Sequence, residues 1–204
     1  MEYTDKTSWN FTKLNWLSQH MVGHNGFIAG GCFKQIFKDQ RVKDIDIFFD
    51  SEEEWAGASE HYKRNDSFEK RYVNKKVEAY KHKKTGLTVE LIRTIFGSPE
   101  EVLNCFDFTI TKFVYYKQVA EDENSDESIE YRCLYHPQYF EHLLMKRLVL
   151  DDGIPFPAST FERMVRYVKY GYFPCRDTKI ALIDALRAMP EVPDLSESMY
   201  DGLD

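Results

Sequence analysis

Two aspartates that alternate with isoleucines are the residues in this sequence best placed to do chemistry. Asp44 and Asp46 lie in the segment VKDIDIFF, with Ile45 between them and Ile47 after them. On a β-strand, residues i and i+2 project from the same face, so both carboxylates point one way, about 7 Å apart by the strand rise. Such a pair repels unless a cation lies between its members. Mg²⁺ suits this position, because it is usually held by one or two carboxylates together with substrate phosphates.

A third carboxylate on a neighbouring strand would complete a site for two metal ions. Glu90 is the best candidate, since it lies in LTVELIRT with Val89 and Leu91 on the alternate, buried face. Two metal ions, Mg²⁺ or else Mn²⁺, would stabilise both the attacking and the leaving oxygen of a phosphoryl transfer. Glu78, on a more polar segment, is a weaker candidate. The structural alternative is that Glu90 simply faces solvent on an edge strand.

A pair of glycines supplies a candidate phosphate-binding turn. Gly30 and Gly31 end the apolar segment GFIAGG and open the helix-like segment CFKQIF. Without a Cβ the backbone can approach a phosphate closely, and the start of a helix offers free N–H donors, including that of Cys32. Two glycines alone are common in turns, but here the Asp-x-Asp pair follows thirteen residues later. The combination predicts that one face binds the triphosphate and its metals. We interpret the Cys32 thiol as a small filler.

The segment GGCFKQIFKDQRVKDIDI resembles the head motif of the DNA polymerase β-type nucleotidyltransferases. It is most similar to the branch of class II tRNA CCA-adding enzymes and bacterial poly(A) polymerases. Gly30 and Gly31 match the glycines of that motif, and Asp44 and Asp46 match its metal-binding pair without a gap. Lys34 stands where that branch has an arginine, so the positive charge is kept.

Two further segments extend this resemblance in part. CFDFTITKF is similar to the segment that shapes the sugar and phosphate pocket in that branch, which implies a nucleotide-binding role for Asp107, although the branch's arginines and asparagine are absent. The segment STFERMVRYVKYGYF resembles the base-reading helix but lacks its Glu-Asp pair, so specificity for C and then A is not carried over.

Basic residues are expected on both sides of the cleft: a lysine from the helix after the glycines, and two arginines from across the cleft. We expect Lys34, Arg163 and Arg166 to lie nearest the nucleotide. With three neighbours, the two arginines could form a basic, aromatic surface for a polynucleotide or a triphosphate; these neighbours are Tyr170, Lys146 and Arg147. The structural alternative is that this helix face is only solvated, as such faces more often are.

The elements that must position these residues follow from hydrophobic periodicity. Strands are predicted within the segments 26–31, 42–49, 77–83, 87–94, 107–116 and 131–135. Helices are predicted within 10–22, 32–37, 51–55, 98–106, 137–150, 159–173 and 177–189. The pattern indicates an α+β fold: a mixed β-sheet with flanking helices over 1–135, a small helical module over 136–190, and an acidic tail over 191–204. The resemblance implies that the first part is a nucleotidyltransferase head. The acidic stretch 120–130 is predicted to be a solvated loop.

Composition narrows the function classes. The 204 residues carry a net charge of −7 with a pI of about 5.4, unlike a strongly basic nucleic-acid binder, so RNA would be met through a local patch. The four cysteines show no metal-ligand spacing, which argues against zinc. The sequence shows neither a signal-peptide pattern nor an apolar run of the roughly 20 residues that a membrane span needs. We therefore expect a cytoplasmic protein without a membrane partner.

These observations predict a metal-dependent nucleotidyltransferase. It would move a nucleotide from an NTP, ATP or CTP, to an acceptor, and the resemblance to RNA-tailing enzymes implies RNA, such as a tRNA 3′ end. Two alternatives stay open. The acceptor could be a protein or a small molecule, as in the toxin, antitoxin and resistance branches of the superfamily, or the chain could be a non-catalytic nucleotide-binding relic.

Overall fold

The computed structural model describes residues 2–121, 127–151 and 153–190. The described strands are β1 (Thr4–Thr7), β2 (Phe27–Ala29), β3 (Asp44–Phe49), β4 (Phe68–Val73), β5 (Val77–His82), β6 (Thr88–Phe96), β7 (Phe113–Glu121), β8 (Glu127–Tyr135), β9 (Arg147–Leu148) and β10 (Phe173–Pro174). The described α-helices are α1 (Cys32–Phe37), α2 (Glu52–Arg64), α3 (Pro99–Asn104), α4 (Tyr139–Leu144), α5 (Pro157–Lys169) and α6 (Arg176–Arg187). Short 3₁₀ helices cover Ser8–Asn10, Thr12–Met21 and Thr109–Thr111.

The fold is built on one eight-stranded mixed sheet in the order β1-β8-β7-β2-β3-β6-β5-β4. In this sheet the pair β3 and β6 is parallel, whereas the other neighbours pair antiparallel. The mixed sheet with flanking helices confirms the predicted α+β class. None of the described helices is long and apolar enough to cross a membrane.

The two edge strands, β1 and β4, were not predicted from the sequence. Their side chains are exposed or half-buried along the whole length. Because an edge strand with both faces near water needs no apolar alternation, hydrophobic periodicity cannot reveal it. Helices α2 and α3 both begin at a serine N-cap: Ser51 accepts a hydrogen bond from the Glu54 amide, and Ser98 forms a capping box with Glu101.

The predicted bounds of one strand and one helix were wrong. The segment 107–116 was predicted as one strand, but it contains the 3₁₀ helix Thr109–Thr111, and β7 begins only at Phe113. The Thr111 hydroxyl donates to the Phe108 carbonyl at 2.7 Å, and such local side-chain bonds compete with a strand ladder. The predicted helix 137–150 ends at Leu144, and Lys146 beyond it has a left-handed backbone with φ 54°, which does not continue a right-handed helix.

The predicted acidic segments are only partly within the described residues. Strand β7 continues to residue 121 and β8 begins at residue 127, so both ends of the predicted loop 120–130 are strand. Residues 122–126 and the whole predicted acidic tail lie outside the described residues. Between 136 and 190 the structure has the three predicted helices, α4 to α6, together with the short parallel pair of β9 and β10, which was not predicted.

The face of the sheet that packs on α2 holds the weaker acidic candidate. Glu78 and Tyr80 project towards α2, where the Ser59 hydroxyl donates to Glu78 Oε2 at 2.6 Å. Ala79 lies between them and therefore points to the opposite face. Glu78 also accepts hydrogen bonds from Lys70 and Tyr80. Glu78 is thus a buried, fully engaged residue on the α2 face.

Candidate functional site

The strand register brings the three predicted acids to one face of the sheet. In the parallel pair of β3 and β6, Asp46 stands opposite Glu90 and Asp44 stands opposite Thr88. Side chains of paired residues share a face, and Asp44 shares it with Asp46 by the two-residue period of a strand. Asp44 is exposed, whereas Asp46 and Glu90 are half-buried.

The charges of these acids act on one another. Burial, and then the carboxylates of Glu90 and Asp44, raise the pKa of Asp46 well above its ordinary value. Burial raises the pKa of Glu90 too, and the Asp44 charge adds to this rise while a hydrogen bond from Tyr72 opposes it. Carboxylates at close range favour either protonation or a bound cation, because their negative charges repel one another. The donor chemistry therefore fits a divalent metal ion with oxygen ligands.

A tyrosine holds the third acid in place. The Tyr72 hydroxyl, from β4, donates to Glu90 Oε1 at 2.5 Å, and Arg71 Nη1 donates to the Thr88 hydroxyl at 3.0 Å. A register shift in β4 between Lys70 and Tyr72 accompanies these contacts. Within the described residues, no three acids, histidines or cysteines stand assembled around one metal position. Coordination by all three acids would therefore need a shift of side chains, including that of Glu90 away from Tyr72.

The glycine turn lies next to the acids. Ala29, at the end of β2, pairs with Asp46, so Gly30 and Gly31 follow at the same edge. Gly30 has φ 92°, a left-handed conformation that favours glycine, and its amide donates to the Phe113 carbonyl at 3.1 Å. Gly31 is the N-cap of α1 and provides no side-chain cap. The turn predicted to bind phosphate is thus beside the acids.

Cys32 and Lys34 follow this turn on α1. Burial, and then the charge of Asp46, raise the pKa of the Cys32 thiol well above its ordinary value, which keeps it protonated. Lys34 is also buried, and its Nζ donates to the Tyr167 hydroxyl at 2.7 Å. Burial dominates the pKa of Asp46, but the Lys34 charge opposes the rise, so the ammonium group lies close enough to act on the acids. Lys34 therefore links the acidic face to α5.

Asp107 and Arg163 bind each other. Asp107 Oδ2 accepts from Arg163 Nε at 2.7 Å and lies 2.5 Å from Arg163 Nη2, and it also accepts from the Thr160 hydroxyl at 3.0 Å. The second oxygen, Oδ1, is buried and has no hydrogen-bond partner among the described residues. The adjoining cavity, lined in part by Phe106 and Tyr167, has a volume of only about 20 Å³, the space of roughly one water molecule. In this conformation the pair fastens α5 to the segment before β7, and Arg163 is not free to clamp a phosphate.

The sequence analysis missed one lysine beside α5, Lys38, which lies near two lysines that it had named, Lys34 and Lys146. Lys38 Nζ donates to the Tyr172 hydroxyl at 2.6 Å. Burial, followed by the charges of Lys146 and Lys34, lowers the pKa of Lys38. The only sequence signal was the i, i+4 spacing of Lys34 and Lys38, which places both on one face of α1. We call Lys34, Lys38 and Lys146 the lysine cluster.

The predicted basic helix face is partly present. Arg166 is half-buried on α5, one turn from Arg163, whereas Tyr170, Lys146 and Arg147 are exposed. Because Lys146 belongs to both groups, this face continues the lysine cluster. The structure thus places positive charge around α5, although Arg163 itself is engaged with Asp107.

Comparisons with known proteins identify a family model and a protein that are similar to this chain. A family model described as "Gabija anti-defense 2 family protein" matches residues 5–146. A protein of Bacillus phage SPbetaL7 called "Gabija anti-defense 2" is 22% identical over 188 residues, which is 92% of this chain and 42% of that protein. The chain thus spans less than half the length of this relative.

Solved structures with the same fold include tRNA nucleotidyltransferases. One, a tRNA nucleotidyltransferase complexed with a primer tRNA and an incoming ATP analog, is 18% identical with a TM-score of 0.52, over 84% of this chain and 49% of that one. A CCA-adding enzyme with CTP is 13% identical with a TM-score of 0.59, over 90% of this chain and 46% of that one. A CCA-adding enzyme with ATP is 14% identical with a TM-score of 0.57, over 92% of this chain and 47% of that one. At these identities the likeness shows the fold, and the predicted nucleotidyltransferase head is confirmed at that level.

Proposed function

The chain belongs to the Gabija anti-defense 2 family, and from that premise we propose that it counters a host defence by metal-dependent nucleotide transfer. One observation carries the proposal: the register that sets Asp46 beside Glu90, with Asp44 on the same face and the Gly30–Gly31 turn at the same edge. Two of these three carboxylates have raised pKa values, because they are buried close to like charges. Such an arrangement lowers the free energy of unfolding. A group of neighbouring acids with strongly shifted pKa values is typical of functional sites.

The proposed metal ligands are Asp44, Asp46 and Glu90. When bound there, two Mg²⁺ or Mn²⁺ ions would neutralise the charge of the reacting phosphates. The backbone at Gly30, Gly31 and Cys32 would approach the triphosphate of the NTP. Lys34, whose charge already reaches Asp46, would add a positive charge on the same side.

The reaction follows from these roles. A hydroxyl oxygen of the acceptor forms a bond to the α-phosphorus of the NTP, and the bond from that phosphorus to the oxygen bridging the β-phosphorus breaks. Pyrophosphate leaves, and the hydroxyl proton passes to a carboxylate. Glu90 accepts a hydrogen bond from a hydroxyl in this structure, that of Tyr72, so its Oε1 can orient the hydroxyl of an acceptor in the same way.

For the acceptor we propose RNA, such as the 3′ end of a tRNA, with ATP or CTP as the donor. The lysine cluster supports this choice, because Lys38 and Lys146 provide positive charge next to Lys34 for a phosphate backbone. The second candidate is a protein or small molecule of the defence system, which the family's name favours. The third possibility from the sequence, a relic that binds nucleotides without transferring them, is the outcome if no acceptor is labelled.

The test is transfer of label from each α-labelled NTP with Mg²⁺. Total RNA is the acceptor in one arm, and a protein extract of cells carrying the defence system is the acceptor in the other. We expect label in the RNA arm, and its loss in Asp46→Asn. Asp50→Asn is the matched control, since Asp50 is exposed just beyond the same strand. Label in the protein arm alone would replace RNA with the second candidate, and label unaffected by Asp46→Asn would refute the acidic site.

A further inference from the structure

A pocket of about 530 Å³ lies on the face of the sheet opposite the acids. Its walls come from the 3₁₀ helix Thr12–Met21, the segment 36–42 and the turn between β5 and β6. Leu87 lines the pocket, and Thr88, its neighbour, pairs with Asp44 on the other face. Because successive side chains of a strand alternate, the pocket and the acids are separate sites.

One wall of this pocket is aromatic and uncharged. The rings of Trp16 and His20 meet edge-to-face with their centroids 5.7 Å apart. Burial, and then the charge of His82, lower the pKa of His20 to about 4, so this ring is neutral near pH 7. His82 Nδ1 accepts a hydrogen bond from the Thr85 amide at 3.1 Å, which leaves Nε2 as the polar atom available to a ligand.

The rim of the pocket carries one uncompensated positive charge among the described residues. Lys13 is neutralised by Asp39, with distances of 2.7 and 2.8 Å from Nζ to the two carboxylate oxygens. Arg41 is exposed and makes no hydrogen bond or ion pair with any residue of the described ranges. Its Nη2 lies close to Gly86, where the Cβ of any larger residue would be 3.9 Å away, so the guanidinium group extends over the turn that closes the pocket.

We propose that this pocket binds a nucleotide, with the base against Trp16 and His82 and the phosphate on Arg41. The volume lies within the roughly 300–1,000 Å³ of small-molecule sites. Base stacking on an aromatic wall tolerates any base, and the side-chain amides of Gln19 and Gln40, which also line the pocket, can pair with a base edge. A guanidinium group binds phosphate oxygens through two parallel hydrogen bonds. The nucleotide unit could be free or part of a strand, and this site is additional to the proposed transfer site.

The experiment follows Trp16 fluorescence in the full chain. EDTA is present throughout, and wild type and Asp46→Asn are titrated side by side, with AMP in one arm and a short oligoribonucleotide in the other. We expect saturable quenching that is the same in both proteins. Trp16→Phe should abolish the quenching while calorimetry still detects binding, because the other two tryptophans lie outside the pocket.

A change of charge at the rim tests the phosphate contact. Arg41→Ala should weaken binding by about 10-fold or more, the effect of losing a charge-assisted hydrogen bond. Lys43→Ala is the matched control. Lys43 lies two residues after Arg41, carries the same charge and is exposed, but it does not line the pocket.

The outcomes separate this proposal from the proposed function, since no transfer is measured. Quenching by AMP identifies a free nucleotide as the ligand, and quenching by the oligoribonucleotide alone identifies a strand. Absence of saturable binding in both arms would overturn the proposal. Equal binding by Arg41→Ala and wild type would overturn it too, as would binding that disappears in Asp46→Asn, which would locate the nucleotide at the acidic face.

Discussion

Replacing Arg163 with alanine tests whether this residue is structural or nucleotide-binding. The side chain of Asp107 is 2% exposed and that of Arg163 is 16% exposed, so the pair is screened little by solvent. Removing one partner of a buried ion pair costs about 3–5 kcal/mol, because the other charge stays buried without compensation. The hydrogen bond from Thr160 to Asp107 remains in the variant, so we expect the lower end, about 3 kcal/mol. For a chain of this size that corresponds to a fall in Tm of about 6–12 °C.

The assay is urea unfolding of wild type, Arg163→Ala, Asp107→Asn and the double variant. The double variant should recover part of the loss, because the amide that replaces the carboxylate carries no charge that needs compensation. Lys169→Ala, an exposed change on the same helix, should stay within about 0.5 kcal/mol of wild type. If Arg163→Ala unfolds at the wild-type urea concentration but binds NTP poorly, Arg163 is a nucleotide ligand as the sequence predicted, and the structural argument fails.

Three further predictions concern the acidic face. Asp46→Asn should stabilise the metal-free protein. The pKa of Asp46 is raised in the folded state, so the wild-type protein loses free energy of unfolding as the pH rises above the carboxyl group's ordinary pKa of about 4. The urea midpoint of the variant should therefore fall less with rising pH than that of wild type. Tyr72→Phe should lower the Mg²⁺ concentration that raises Tm, because Glu90 no longer has to leave a hydrogen bond, and a higher Mg²⁺ midpoint would contradict this. Lys34→Met should reduce transfer about 100-fold by removing a charge beside the phosphates, with circular dichroism as the check on folding; unchanged turnover would exclude Lys34 from the site.

Local patterns predicted much of the candidate site's framework. The alternation of Asp44 and Asp46 with isoleucines indicated that both acids share one strand face, and β3 has that arrangement. The two glycines predicted a turn between a strand and a helix, and they form it. Such features depend on residues a few positions apart, so the chain's own periodicity and backbone preferences suffice to predict them.

Other features depend on contacts that local periodicity does not contain. The role assigned by resemblance to Asp107 did not foresee its ion pair with Arg163, 56 residues away, which engages both charges. The 3₁₀ helix before β7 depends in part on the hydrogen bond from the Thr109 amide to the Val149 carbonyl. The edge strand β4, which carries Tyr72 to Glu90, has no apolar alternation to reveal it.

The sequence by itself determined which side chains share a face within each strand, because that follows from the two-residue period of the backbone. Only the tertiary structure decided that Asp46 stands beside Glu90, since a shift of one residue between β3 and β6 would have turned Glu90 to the opposite face. The packing of residues such as Ile45 and Val89 in the core sets that register. Because these residues are far apart in the sequence, the periodicity within either strand does not predict how the two strands align.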